Sequence, residues 1–324
     1  MNRLLAAVAA TVLAVGTQAA AAAWPQKPIN VVLGFAPGGG LDQTLLPLKP
    51  LMERRLGQPF LLNYKPGAGG RIGFEFVHMN GADGYTIGAL SEPHFSNTVV
   101  FEKPRYKVED MVPLGLIMRD VPIWFVRKDS PFKDMNDLIA EARRRPGQIR
   151  VAIGSFTGEH YVSMALVEEL AGVKFRPVNV QGGAPVMTNV VGGHFEVGIS
   201  RPGSITGIKD EIRGLGLVAS KRSALFPDTP TFDEQLPANI RIPHLSSARG
   251  LMVTARFARD NPDGFRRLET AFREAVNSPE FKEHMDRQGL ELDWTDGPAT
   301  AKELEESVKL YTQYKDLVEA AKNR

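Results

Sequence analysis

Short apolar runs alternate with amphipathic stretches along most of the chain. The apolar runs predict strands at 29–35, 60–64, 85–90, 150–153, 175–180 and 196–200. Between them, apolar residues recur at helical spacing and predict helices at 41–56, 72–79, 135–145, 159–171 and 185–191. Alternation of strand and helix favours parallel sheets that are covered by helices on both faces.

Helix boundaries carry local signals of their own. Asn261-Pro262 and Ser278-Pro279 each pair an N-cap residue with a proline at the first helical position, and Thr300-x-x-Glu303 predicts a capping box that opens the last helix. Pro47 and Pro50 stand inside the first predicted helix, where an interior proline removes a hydrogen bond. We therefore expect a kink or a late start in that helix.

Two further apolar segments suit strands that pass between two halves of the molecule. They lie at 122–127 and 250–254. This placement predicts a second lobe inserted in the first. The expected division is a first lobe of 24–124 and 248–324, and a second lobe of 125–247.

The first 23 residues have the order of a secretory signal peptide. Arg3 is followed by an apolar stretch from residue 4 to about 16 and by a small-residue tract with several Ala-x-Ala frames. The apolar stretch is shorter than the roughly 20 residues that a membrane span needs. We expect cleavage near residues 22–24 and export of a soluble product to the periplasm.

Composition and charge exclude several classes of function. The chain contains 39 Lys and Arg against 37 Asp and Glu, so its formal net charge of +2 gives no strong field for nucleic acid or an anionic membrane. It has no cysteine, which excludes disulfides, thiolate metal sites and cysteine nucleophiles. A length of 324 residues suits two lobes with substantial cores.

No local catalytic or cofactor motif is complete. The stretch from Gly67 to Gly73 has Ile72 where a dinucleotide fingerprint needs its third glycine, and Gly198-Ile-Ser200 is not completed to a nucleophile elbow. The six histidines share no short metal-binding spacing. We therefore expect no cofactor, no metal and no enzyme activity, although a catalytic group assembled from distant segments stays possible.

Four glycine-rich loops each follow a predicted strand and precede a helix-like segment. Such loops lie at the carboxyl ends of strands, where helix N-termini present free N–H groups that favour anions. Each loop alone could be an ordinary turn, but four together favour an anion-binding cleft. They span residues 36–42, 66–70, 154–160 and 181–185.

Ordered motifs over the whole mature chain carry a resemblance to one family. They include Trp24-Pro-Gln-Lys-Pro-Ile29, Phe35-Ala-Pro-Gly-Gly-Gly-Leu-Asp42, Lys65-Pro-Gly-Ala-Gly-Gly70 and Pro227-Asp-Thr-Pro-Thr231. With these motifs the chain resembles the Bug/TctC family, the solute-binding proteins of tripartite tricarboxylate transporters. The resemblance implies an α/β periplasmic-binding-protein fold of the type II, Venus flytrap kind. It also implies a monomer that closes on a small carboxylate and delivers it, unaltered, to a membrane permease.

The resemblance also implies which residues contact the ligand. The first-lobe loop would hold one carboxylate end through backbone N–H groups, with an adjacent-strand loop beside it, and two second-lobe loops would hold the other end. The residues at these positions are Pro37, Gly38 and Gly39, then Ser91, then Ser155, Thr157 and His160, and then Gly183 and Ala184.

Two arginines are informative against the family pattern: Arg201 differs from it, and Arg249 matches one branch of the family. Many relatives have an Asp where this chain has Ser200-Arg201, and Arg201 would suit a bidentate carboxylate contact, which makes an amino-acid ligand less favoured. Arg249 matches an Arg-Gly pair of the tricarboxylate-type branch and would be a second anion clamp. We expect loss of Arg201 to weaken binding more than loss of Arg249. Each arginine could instead form a structural salt bridge.

Other side chains near these loops keep two interpretations. Glu159 is an acid beside a site proposed for anions, and His94 and His160 could be structural or could face the ligand. Two other functions also stay open: a sensing protein of the same fold that docks on a signalling receptor, and an enzyme that uses the same cleft.

Overall fold

The computed structural model of the protein describes residues 24–154, 159–180, 183–240, 242, 245–316 and 319. Within these residues the strands are β1 (Ile29–Leu33), β2 (Phe60–Tyr64), β3 (Thr86–Glu92), β4 (Met111–Asp120), β5 (Ile123–Arg127), β6 (Arg150–Ile153), β7 (Arg176–Asn179), β8 (Val197–Ser200), β9 (Ile212–Leu217), β10 (Ser247–Thr254) and β11 (Thr295–Asp296). The α-helices are α1 (Gly40–Leu56), α2 (Arg71–Asn80), α3 (His94–Phe101), α4 (Met135–Arg144), α5 (Glu159–Ala171), α6 (Gly183–Val191), α7 (Pro202–Ile205), α8 (Phe232–Gln235), α9 (Ala255–Asp260), α10 (Pro262–Val276), α11 (Pro279–Arg287) and α12 (Gly297–Gln313). Short 3₁₀ segments cover Ala68–Gly70, Val108–Asp110 and Thr206–Glu211.

The strands form two sheets, and each sheet is the centre of one lobe. The first sheet has the order β11-β4-β10-β3-β1-β2, and the second has the order β7-β6-β8-β5-β9. All strands of the second sheet lie in the chain between β4 and β10, which are neighbours in the first sheet. The predicted α/β fold with the second lobe inserted in the first is therefore confirmed. The chain leaves the first sheet after Asp120 and enters the second at Ile123.

Both sheets are mixed, so the prediction of parallel sheets is only partly correct. β1 pairs parallel with β2 and β3, and β6 pairs parallel with β7 and β8. β10 is antiparallel to β3 and β4, and β5 is antiparallel to β8 and β9. The reason is the route of the chain. β5 and β10 each begin where the chain arrives from the other lobe, beside the carboxyl ends of the parallel strands, so each runs antiparallel to them.

Apolar side chains fill both faces of the first sheet. On one face, Leu48 and Met52 of α1 belong to the same buried cluster as Ile29 and Leu251. On the other face, Phe74 and Phe95 pack with Val32. Burial on both faces explains why four of the five residues of β1, all except Asn30, are apolar instead of alternating with polar residues.

Helix α1 begins at Gly40, before both of its prolines, so the expectation of a late start is wrong. An interior proline costs about 3 kcal/mol because a backbone hydrogen bond is lost. Burial of one large aliphatic side chain contributes roughly 1.5–3 kcal/mol. The buried side chains of α1, among them Leu45, Leu48, Leu51 and Met52, therefore outweigh the cost of Pro47 and Pro50.

Three helix starts were predicted from cap residues, and two of those predictions are confirmed. Asn261 and Ser278 cap α10 and α11, each with proline at the start of the helix. The third is wrong: α12 begins one turn earlier than the predicted capping box. Asp296 is its N-cap and accepts a hydrogen bond from the Ala299 N–H at 2.9 Å. Thr300 lies inside the helix and donates its hydroxyl to the Asp296 carbonyl at 2.7 Å.

Helix α12 contacts both lobes. Leu304 is buried in a first-lobe cluster with Phe95, whereas Tyr311 is buried in the core of the second lobe with Trp124. Val100 and Phe101 of α3 also pack against the second-lobe core. The lobes are thus joined by packed helices as well as by the two passages of the chain between the sheets.

Candidate ligand-binding site

Strand ends of both lobes meet at the lobe interface and bring a group of polar side chains together. We call this group the central cluster, defined as Ser91, His94, Asp120 and Arg249 of the first lobe with Glu159, His160 and Arg201 of the second. Charges of the two lobes act on one another here: His94 and Asp120 are both influenced by Glu159 and Arg201. The cluster therefore spans the interface that a closing clamp would seal.

Arg249 is a buried cation that has no strong partner among the described residues. Its side chain is only 9% exposed, and its nearest carboxylate oxygen, Oδ2 of Asp120, lies 3.9 Å from Nη2. Nη1 donates to the sulfur of Met118, which is a weak acceptor, at 3.3 Å. Burial lowers the pKa of Arg249, although an arginine stays charged at neutral pH. A buried guanidinium with unused donors favours a negatively charged guest.

The guanidinium of Arg249 lies against the start of helix α1. A side-chain carbon added at Gly40 would lie 2.6 Å from Nη2 of Arg249, so only glycine allows this approach. The N-cap residue Gly39 offers no side chain to the first N–H groups of the helix. The N-terminus of a long helix and a buried arginine thus face the same space, and both favour an anion.

The loop before α1 is held by Asp42. Its carboxylate accepts the N–H of Gly38 and the hydroxyl of Tyr64, the latter at 3.0 Å. Pro37, Gly38 and Gly39 are exposed, as a ligand-contacting loop should be. However, Pro37 has no N–H and the N–H of Gly38 is already bonded to Asp42, so neither residue has an amide free for a ligand in this arrangement.

Arg201 is bound within its own lobe. Nε and Nη2 both donate to Oε1 of Glu159, at 3.1 and 2.9 Å. Burial alone would raise the pKa of Glu159, but Arg201 and His160 outweigh it and hold this pKa at about 2. Arg201 therefore forms the structural salt bridge that the sequence left open as an alternative. Only Nη1 of its guanidinium is not used in this salt bridge.

The two histidines of the cluster differ in their contacts. Burial lowers the pKa of His160 to about 4, against the opposing charge of Glu159, so His160 is neutral at pH 7. Its Nε2 lies 3.5 Å from Glu159. Burial also lowers the pKa of His94, whose Nδ1 lies 3.1 Å from the Ser91 hydroxyl. The Phe35 ring packs against His94 with 4.7 Å between the ring centres.

Several predicted site residues lie outside the part that is described. Ser155 and Thr157 are not among the described residues, and only the backbone of Gly183 and Ala184 is described, at the start of α6. Ser200 is buried at the end of β8, where it is paired with Ile123. Sequence reasoning missed Asp120, because β4 was not predicted and a single Asp has no local pattern.

An interlobe cavity of about 730 Å³ borders the central cluster at Asp120. Arg119 lines it and is bound to Asp293 at 2.9 Å and to Glu303 at 2.5 Å. Glu291 and Lys221 also line it. Asp120 is therefore the residue that the central cluster and this cavity share.

Comparisons with known proteins agree with this architecture. The family model "Tripartite tricarboxylate transporter family receptor", TctC, matches residues 48–320. Protein BugT of Bordetella pertussis is 30% identical over 242 residues, which cover 72% of this chain and 74% of BugT.

Solved structures show the same fold. A TctC solute-binding protein from Polaromonas superimposes with a TM-score of 0.80 at 24% identity, covering 91% of this chain and 99% of that one. MatC of Rhodopseudomonas palustris with bound malate gives 0.70 at 21% identity, covering 91% and 100%. Another R. palustris protein, with adipate, gives 0.72 at 21% identity, covering 91% and 98%.

Among the described residues, no helix combines the length and the apolar character that crossing a membrane requires. The two-lobed fold, the polar cluster between the lobes and the family match over most of the chain all point the same way. The chain belongs to the TctC family of tripartite tricarboxylate transporter receptors, which are extracytoplasmic solute-binding proteins.

Proposed function

We propose that the protein is exported to the periplasm by its N-terminal signal peptide, binds a small di- or tricarboxylate between its lobes, and delivers it as a monomer to a tripartite permease. The lobes would be 24–124 with 248–324, and 125–247. Closure would place the ligand between α1 and the second-lobe loops, and release would return it unchanged. The malate and adipate bound by two proteins of the same fold support a carboxylate ligand.

Arg249 is the observation that carries this proposal. Among the described residues, this mostly buried guanidinium meets only a thioether sulfur and a carboxylate at 3.9 Å, which is costly because burial removes most of its water without supplying good acceptors. A ligand carboxylate would supply two charge-assisted hydrogen bonds there. The N-terminus of α1 would add to the attraction for the same group.

Arg201 is expected to contribute less to carboxylate binding than Arg249. Because Nε and Nη2 already donate to Glu159, only the remaining donors can reach a ligand. We therefore reverse the order expected from sequence: loss of Arg249 should weaken carboxylate binding more than loss of Arg201. A single Arg201 variant would also leave Glu159 buried without a partner, so the matched comparison is the double variant Arg201→Met with Glu159→Met.

A thermal-shift screen of di- and tricarboxylates tests the function, since a ligand that binds only the folded state raises Tm. We expect at least one carboxylate to raise the Tm of the wild type and to bind stoichiometrically by calorimetry without being converted. Arg249→Gln should lose most of this shift. A screen in which no carboxylate binds, or in which Arg249→Gln binds as tightly as the wild type, would contradict the proposal.

A further inference from the structure

Asp120 is a carboxylate with unused acceptor capacity in the central cluster. It is the last residue of β4, and its side chain is 12% exposed. No described residue donates a hydrogen bond to it, and the Nη2 of Arg249 at 3.9 Å is beyond hydrogen-bond length. Glu159, the other acid of the cluster, already accepts two N–H groups from Arg201. Asp120 is therefore the acid that is able to accept from a ligand.

The charges around Asp120 limit what can bind there. Burial raises the pKa of Asp120, whereas Arg201 and Arg249 lower it and Glu159 raises it. Two arginines and two acids balance each other, and the pKa of His160, at about 4, leaves that side chain neutral. A ligand that presents only carboxylates would place negative charge beside an unsatisfied Asp120. A ligand with a donor next to its carboxylate would satisfy Arg249 and Asp120 together.

We propose that Asp120 accepts a hydrogen bond from a hydroxyl or ammonium group on the carbon next to the carboxylate that Arg249 binds. The preferred ligands are then α-hydroxy or α-amino carboxylates. This changes the expectation from sequence that an amino-acid ligand is less favoured, because Asp120 supplies an acid that the Ser200-Arg201 position lacks. This inference rests on the proposed carboxylate-binding function and names its ligand class.

The separation of the two side chains fits such a ligand. A donor on the carbon next to a carboxylate lies beside one carboxylate oxygen, so the two groups can contact neighbouring partners. Arg249 and Asp120 are neighbours that do not satisfy each other, with 3.9 Å between their nearest nitrogen and oxygen. Asp120 also borders the interlobe cavity, which gives the displaced water a way out.

Matched ligand pairs test the inference by calorimetry. The pairs are succinate with malate, glutarate with 2-hydroxyglutarate, and phenylacetate with mandelate, and each hydroxy acid is compared with its amino analogue. For the wild type we expect the substituted member of the best-binding pair to bind about tenfold tighter or more than its partner. Asp120→Ala should bring that ratio close to one, without weakening the unsubstituted member.

Further variants separate the two donor types and control for charge. Asp120→Asn keeps an acceptor oxygen but loses its charge, so it should lose the preference for the ammonium group more than that for the hydroxyl. Glu291→Gln removes one negative charge from the cavity lining and should keep the wild-type ratio.

Two results would overturn the inference: equal affinities within every pair for the wild type, or a ratio that survives in Asp120→Ala. Absence of binding for every member of every pair would also overturn the inference, whereas absence of binding throughout the di- and tricarboxylate screen would contradict the proposed function itself.

Discussion

At the residue scale, a substitution at Gly40, which lies against Arg249, should change ligand binding without lowering stability. Gly40→Ala adds a methyl carbon only 2.6 Å from the present position of Nη2 of Arg249, so the guanidinium must move. Alanine is a better helix former than glycine at the start of α1, so the free energy of unfolding should not fall. We expect affinity for the bound carboxylate to fall about tenfold.

Calorimetry and urea unfolding of the same Gly40→Ala preparation check this expectation. Gly207→Ala is the control, since nothing lies within 4 Å of the carbon it would add. Unchanged affinity in Gly40→Ala would show that the position of Arg249 does not matter to the ligand.

Glu92 should make stability depend on pH. Burial raises the pKa of this carboxyl to about 7 in the folded protein, from 4.5, with Ser96 opposing the rise and Glu303 adding to it. Between these values the folded protein binds more protons than the unfolded one, so this group lowers stability as pH rises from about 4.5 to about 7. Glu92→Gln should remove that loss and be more stable than the wild type at pH 8, by up to about 3 kcal/mol.

The measurement is the difference in free energy of unfolding between Glu92→Gln and the wild type at pH 5 and at pH 8. His160, whose pKa is lowered to about 4, gives a slope of opposite sign, but it is present in both proteins and cancels in the difference. Glu109→Gln is the control, because the Glu109 side chain is 72% exposed. A difference that does not grow with pH would be evidence against a buried, protonated Glu92.

Sequence reasoning found charges of the site but not their partners. Arg201 and Arg249 stand out because each directly follows or lies in an apolar strand. The pairing of Arg201 with Glu159 joins residues 42 positions apart, and only the fold brings the end of β8 to the start of α5. Asp120 depends likewise on the antiparallel pairing of β4 with β10, which no local pattern specifies.

At the element scale, the contact of α12 with the second lobe should contribute strongly to stability. Tyr311 is 2% exposed and buried among second-lobe side chains, although α12 begins beside the first sheet. Tyr311→Ala would leave a large cavity and should cost about 3–5 kcal/mol in the free energy of unfolding. Tyr314→Ala is the matched control at the end of the same helix, where the ring is only partly buried, and it should cost much less. Equal costs in urea unfolding would mean that Tyr311 is not the anchor.

Strands were predictable where apolar residues dominate a short run that contains no proline or glycine, as in β1, β2 and β5. β4 was missed because Pro113 and Gly115 interrupt it, and both residues usually end a strand. The pairing of β10 with β4 shifts register twice, between Arg249 and Gly250 and between Leu251 and Met252. Such irregularities accommodate residues that do not fit a regular ladder, but they depend on the partner strand and so leave no signal in β4 itself.

At the scale of the whole molecule, the two lobes approach each other closely at Gly203. A side-chain carbon there would lie 3.0 Å from the carbonyl oxygen of Gly289 and 4.0 Å from both Leu290 and Oδ1 of Asp120, all in the first lobe. Gly203→Leu should therefore oppose the closed arrangement and weaken ligand binding while leaving each lobe folded. Gly207→Leu, with open space around the added carbon, should bind normally.

Small-angle scattering with and without ligand, together with calorimetry, checks this prediction. Gly203→Leu should have the larger radius of gyration in the presence of ligand. Normal affinity and normal compaction in this variant would show that closure does not require the approach seen at Gly203.

Because α12 packs against both lobes, it also affects how the protein unfolds. Because Leu304 and Tyr311 of one helix are anchored in different cores, neither half can melt without exposing part of the surface that it shares with the other. Heat should consequently undo both halves in a single cooperative transition. A ligand bound in the cleft would then shift one calorimetric peak, and that peak would report the unfolding of both lobes.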